Sequence, residues 1–256
     1  MGIIREREIW ATHTQHLNDQ REYRLAIDMV SAEIARQQAA ANGENRWVLS
    51  EMLEGIRGIE GMNVCVCSFS EDRDSLPQWR AYGGSTSGYA IGFNPGFLAD
   101  VAKRERFLLA KCLYKQDEQA ALVQALVAVV FSENVKMKED GKYPVAPQGG
   151  YLAARLHKYA PILKHPSFAE EREWRMISLP LSSRLPRFEF RPGKSMVIPY
   201  YRVPLKESEN EIRLDEVVIG PTPHTEQSCN AARNFLVSRG LEDVPVNMSA
   251  VPYRNW

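Results

Sequence analysis

Glu171 and Glu173, within Phe168-Ala-Glu-Glu-Arg-Glu-Trp-Arg175, are the side chains in this sequence best suited by type and spacing to catalysis. If both enter a strand, the two-residue repeat puts their carboxylates on one face. Two close carboxylates raise each other's pKa, a costly arrangement that often marks a site. Arg172 and Arg175 flank the pair, so a solvated, salt-bridged helix end explains the same residues without chemistry. A second polar cluster sits in otherwise strand-like sequence: Cys67-Ser-Phe-Ser-Glu71, then Gln78-Trp-Arg-Ala-Tyr-Gly-Gly-Ser-Thr-Ser-Gly-Tyr-Ala-Ile-Gly-Phe93. Its glycines let backbone approach a ligand closely, and Ser85, Thr86 and Ser87 supply hydroxyls. Arg80 offers a bidentate contact to phosphate or carboxylate, or is simply a solvated loop arginine.

Other chemistries find little support. The sequence lacks a GxGxxG after a strand, a Walker A pattern, HExxH and GxSxG. The five histidines (His13, His16, His157, His165 and His224) are scattered, as befits surface or hydrogen-bonded residues rather than ligands. Cys65 and Cys67 alternate in an apolar run without a second pair at ligand spacing, which predicts buried thiols sharing one strand face and no metal. Four cysteines outside any disulfide framework suit a reducing cytosol.

Thirty-two basic residues balance 32 acidic ones for a net charge of zero, so the domain-wide basic excess of a nucleic-acid binder is missing, though a local patch is not excluded. The start of the chain lacks an apolar leader, and no apolar run approaches the ~20 residues of a membrane span. A cytoplasmic protein without membrane contact is expected.

The elements that must position these residues follow from periodicity. Helices are predicted from an Asn18 or Asp19 cap through Ala35, over 48–59, in a short piece around Trp79 and Tyr82 capped by Asp72 or Asp74, and over 118–137, 149–163 and 225–239. Strands are predicted over 62–69, 89–93, 107–114, 173–179, 187–191, 196–205, 216–220 and 246–251. Runs of strands interrupted by helices, without βαβ repetition, indicate an α+β fold of mixed, mainly antiparallel sheet packed with helices. With 256 residues and no linker, residues 1–256 read as one domain.

Taken in order, several segments resemble the bacterial family known as domain of unknown function 2971. They are Ile9-Trp10-Ala11-Thr12 with Leu17-Asn18-Asp19 and Glu22, Cys67-Ser-Phe-Ser-Glu71, Gln78-Trp-Arg-Ala-Tyr-Gly83, Gly88-Tyr-Ala-Ile-Gly-Phe93, Phe168 with Glu171-Arg-Glu-Trp-Arg175, Val218-Ile-Gly-Pro221 and Ser249-Ala-Val-Pro-Tyr-Arg254. The pattern is similar to ADP-ribosyltransferase-like folds, which implies a split sheet and NAD as the substrate. On that resemblance Gly88 to Phe93 is the middle strand, and Glu173, or else Glu171, is the glutamate that hydrogen-bonds ribose hydroxyls as the glycosidic bond breaks. Ser68, Arg80, Tyr82, Gly88, Tyr89 and Arg175 would surround the nucleotide. The His-Tyr-Thr-like strand that precedes the Ile9-Trp10 segment in relatives has no counterpart, so its role in gripping NAD is assigned to no residue.

Three functions compete. The first is an ADP-ribosyltransferase-like enzyme that modifies a macromolecular acceptor, in bacterial defence or a toxin system. It predicts that the acidic pair and Arg80 share one cavity with Ser68 or Tyr89. The second is a module that senses a nucleotide or phosphate without turnover. In the third, an interaction protein, Trp79, Tyr82 and Trp174 are core and the charges are salt bridges.

Overall fold

The computed structural model describes residues 2–17, 22–56, 62–83, 88–141, 151–206 and 212–253. The proposed cap at Asn18 or Asp19 and the hydroxyls of residues 85–87 lie outside these. Alternating apolar residues build a six-stranded antiparallel sheet in the order β4-β5-β2-β1-β7-β6. Its strands are β1 (Glu8–His13), β2 (Cys65–Ser70), β4 (Leu108–Lys111), β5 (Glu173–Ile177), β6 (Phe188–Pro192) and β7 (Val197–Pro204). A smaller sheet holds β3 (Tyr89–Phe93), β8 (Leu214–Ile219) and β9 (Val246–Met248), with β8 antiparallel to β3 and parallel to β9. The α+β expectation holds.

One face of the large sheet is apolar. Ile9, Ala11, Cys65, Cys67 and Met176 point from it into a core shared with Phe97, Leu98, Val101 and Ala102 of α5 (Pro95–Glu105). Helix α5 begins where the Asn94 side chain accepts from Phe97 N at 3.2 Å, with Pro95 in its first turn. The two strand cysteines therefore share a face as expected, and burial pushes the Cys65 thiol up to about 12. All four cysteines are free and buried.

Among the described residues, the opposite face is covered at one end. Val64, Val66 and Ile177 meet Ile162 there, beneath a helical layer of α2 (Glu22–Ala40), α3 (Gly43–Gly55), α6 (Gln116–Glu139) and α7 (Tyr151–Tyr159). Ala26, Val30 and Ile34 of α2 recur every four residues and are fully buried in that layer. Helix α6 holds an 18-residue window of mean hydropathy 1.4, long and apolar enough by length and composition to cross a membrane. This corrects the sequence expectation that no such run exists. In the fold its Val123, Leu126, Val127 and Val130 are buried in the helical core. The remaining helices are α1 (Gly2–Glu6), α4 (Leu76–Tyr82) and α8 (Thr225–Val237), the last packed on the small sheet.

Inside the helical layer, Tyr23 Oη and His157 Nδ1 share a hydrogen bond of 2.7 Å. His157 is buried, and burial lowers its pKa from 6.5 to about 4. The unfolded chain takes up this proton near pH 6.5 and the folded chain only near 4, so the unfolded state binds more protons between those values. Stability is therefore whole above pH 6.5 and falls with acidification by up to roughly 1.4 kcal/mol per pH unit. Urea unfolding between pH 7 and pH 5 measures this slope, and His157→Leu should flatten it even though the variant starts less stable. An unchanged slope in that variant would place the proton uptake elsewhere.

Candidate functional site

The uncovered part of the large sheet forms the floor of an open cavity of about 1400 Å³. Its shape follows from the strands. The ladder between β1 and β2 is paired at Thr12–Val66 and His13–Cys65, whereas β1 pairs with β7 over five positions from Glu8 to Thr12. Leu205 N donates to Arg7 O, and Ser178 N donates to Cys65 O, each at 2.9 Å. By antiparallel alternation, Trp10 on β1 and Ser68 and Ser70 on β2 then aim their backbone groups at the line between the two strands. Beyond the paired stretch that line is the cavity floor, with Trp10, Ser68 and Ser70 all lining it.

Beside it, β5 carries the charge. Arg175 is the register partner of Ser68, and Glu173 of Ser70, so all four share the open face. Arg175 donates to both Glu173 oxygens, Nε to Oε1 at 2.7 Å and Nη2 to Oε2 at 3.1 Å, while Nη1 reaches Pro161 O at 2.6 Å. The Lys164 ammonium bridges Glu171 and Glu173. Lys164, Glu173 and Arg175 are each 5% exposed or less, and the Glu171 side chain is the most accessible of the four at 23%. Two buried cations neutralise two carboxylates, which is the condition for burying charge at all.

Backbone contacts hold this quartet. Lys164 N donates to Leu113 O at 3.1 Å, and the buried Gln119 amide donates to the Leu113 and Lys164 carbonyls at 2.7 Å each. Glu173 N donates to the Tyr114 hydroxyl at 2.9 Å. Glu171 is not on the strand. It ends a 3-10 turn, Pro166–Glu171, and Arg172 follows in the left-handed region at φ 45°. The two carboxylates thus meet at one ammonium from two elements, and not by sharing a strand face as the sequence spacing suggests.

The electrostatics also differ from expectation. Burial pushes the Glu173 carboxyl up, but Arg175 and then Lys164 outweigh it, and its pKa lies below the ordinary carboxylate value. Mutual elevation by Glu171 does not prevail, because Lys164 stands between them. Nor does Arg172 serve the pair. Its guanidinium binds Glu71 at 3.1 Å, and Glu71 also accepts from Lys111 and Trp174 at 2.8 Å each. Those hydrogen bonds hold the Glu71 carboxyl down to about 2.

Most nominated residues come together. Ser68, Glu171, Glu173 and Arg175 form the floor, and Tyr82, Gly88 and Tyr89 line the rim. Arg80 does not line the cavity; its guanidinium lies over the Tyr253 ring, 5.4 Å from the centroid. On α4, Gln78, Trp79 and Tyr82 face the cavity, and at about 100° per residue Arg80 falls on another side. The expectation that Arg80 and the acidic pair share one cavity is therefore not met. Gly88 also has a different reason from the one read in sequence. A Cβ there would stand 2.9 Å from Gly83 Cα and 3.4 Å from the Trp79 ring, so the missing side chain admits Trp79. The proposed Asp74 cap is likewise otherwise engaged: Ser75 precedes α4, while Asp74 accepts from Trp79 Nε1 at 2.7 Å and Ala250 N at 2.7 Å.

Lys164 escaped the sequence reading. Its signal was a lone lysine in Pro161-Ile-Leu-Lys-His165, an apolar stretch ahead of a proline. Trp10, Arg24, His16 and Arg191 also line the cavity and were not nominated.

Residues 78–176 match the model of a family described as a protein of unknown function, DUF2971. That span is 99 of the 256 residues, and over it the chain is similar to the DUF2971 family. The matched segment contains most of α4, all of β3 and the whole Lys164–Glu171–Glu173–Arg175 quartet, whereas β1, β2, β6 and β7 lie outside it. No curated protein and no solved structure matches the chain. Among the described residues, no group of three or more His, Cys, Asp or Glu side chains is placed to hold a metal ion.

Proposed function

We propose that the cavity binds NAD and transfers its ADP-ribosyl group to a macromolecular acceptor, in the manner of ADP-ribosyltransferase-like proteins. What carries the reading is a buried, charge-balanced quartet on the floor of an open cavity, with the Glu171 carboxylate the most accessible member. In the reaction the bond between ribose C1′ and the nicotinamide nitrogen breaks, and its electron pair leaves with nicotinamide. The acceptor nucleophile then bonds to C1′ and releases its proton to solvent. The intervening ribose is oxocarbenium-like, and a fixed carboxylate beside that developing charge stabilises it more than the ground state. Glu171 fits this task better than Glu173, whose two oxygens are held by Arg175 and Lys164. Glu173 acts by positioning Lys164.

The test is nicotinamide release from NAD, assayed in the presence of a bacterial lysate that supplies acceptors. Wild type should release nicotinamide, and Glu171→Gln should slow it by about 100-fold or more. No release by wild type would sink the transferase. A second reading, binding without turnover, is favoured by the tight engagement of Glu173. Its outcome is a rise in melting temperature with NAD while nicotinamide stays attached.

A further inference from the structure

On β1, Ile9, Ala11 and His13 are buried, but Trp10 between them is 50% exposed. It lies on an inner strand of the large sheet and lines the cavity. Tyr200 of β7, 6% exposed, braces it with ring centroids 4.5 Å apart and planes tilted by 34°. A large aromatic held rigid from behind and left open in front is the arrangement that stacks a planar base. Arg191 of β6 shares that face and also lines the cavity. Its register partner is Ile198, two residues from Tyr200, so it is a diagonal neighbour of the ring pair. The Arg191 Nε is buried with no hydrogen-bond partner. The Nε of its neighbour Arg202 is likewise buried without a partner among the described residues, but the Arg202 Nη atoms face Glu189 at 3.3 Å and Glu8 at 3.7 Å.

We propose that Trp10, braced by Tyr200, stacks the purine base of the nucleotide, and that Arg191 holds the adjoining phosphate. The proposal rests on the nucleotide reading of the same cavity and assigns its far end. Strand β1 lies two places from β5 in the sheet, a sideways distance of about 10 Å. A dinucleotide whose reacting ribose sits at Glu171 extends its other base toward Trp10.

Calorimetric titration of the full chain with NAD, AMP, adenosine and nicotinamide mononucleotide tests this. Wild type should bind NAD and AMP. Trp10→Ala should weaken both by about 10-fold or more, the range of one lost base stack, and leave nicotinamide mononucleotide unchanged. Trp10→Phe keeps a ring and should retain most of the affinity, which separates loss of the platform from loss of the fold. Arg191→Gln should weaken AMP but not adenosine. If Trp10→Ala binds AMP and NAD as wild type does, the platform is wrong while the nucleotide reading survives. If wild type binds none of the four, both readings fall. A single-stranded oligonucleotide that binds where AMP does not would also overturn the assignment.

Discussion

Lys164→Ala lowers the free energy of unfolding by about 3–5 kcal/mol at neutral pH, the cost of breaking a buried ion pair by removing one partner. The ammonium is the group that both Glu171 and Glu173 touch. Without it two carboxylates face one another with only the Arg175 fork on one of them. Burial then favours uptake of a proton by Glu173, whose carboxyl Arg175 and Lys164 together hold below the ordinary value in the native chain. The penalty should accordingly be largest at pH 7 and shrink as the solution is acidified toward the carboxylate range. Guanidinium unfolding of wild type and variant at pH 7 and pH 5 measures this. Adding Glu171→Gln to the lysine variant should recover part of the loss, because it removes one of the two repelling charges. A loss below 1 kcal/mol, equal at both pH values, would mean the quartet is more hydrated than its burial implies.

Trp79→Ala costs about 3–5 kcal/mol, the range for deleting a large buried aromatic. The side chain is 7% exposed, its Nε1 donates to Asp74 at 2.7 Å, and its ring fills the space left by Gly88 and Gly220. Trp79→Phe keeps most of the ring and loses the charge-assisted hydrogen bond, so its cost should be about half as large. Urea midpoints rank the three proteins. The same pair of variants addresses the interaction-protein reading. If Trp79→Ala unfolds the chain while glutamine at Glu171 and Glu173 changes neither NAD binding nor nicotinamide release, the motif is core and salt bridge and nothing more.

Much of the fold was legible because its signals are local. The strand Tyr89–Phe93 was read to the residue, the helix beginning at Thr225 was read at its start, and the alternation of Cys65 and Cys67 located a buried sheet face. Seven nominated site residues line one cavity, and Ser68, Glu173 and Arg175 were legible there as polar residues inside apolar strands. What failed was direction and partnership. Arg80 shares a seven-residue helix with cavity residues but points elsewhere, and one helical position decides which. Arg172 takes a left-handed conformation that nothing in its residue type announces, and this moves Glu171 off the strand. A lone lysine such as Lys164 reads as solvated until the fold shows what surrounds it. The exposure of Trp10 was not legible either, since it depends on where β1 and β2 cease to pair.

The Asp74 carboxylate ties Trp79 to Ser249 and Ala250, residues 175 and 176 positions away. Displacement of the Ser249–Ala250 segment is thus transmitted to the rim of the cavity. Removal of residues from 249 onward should blunt ligand binding before it disturbs the helical layer.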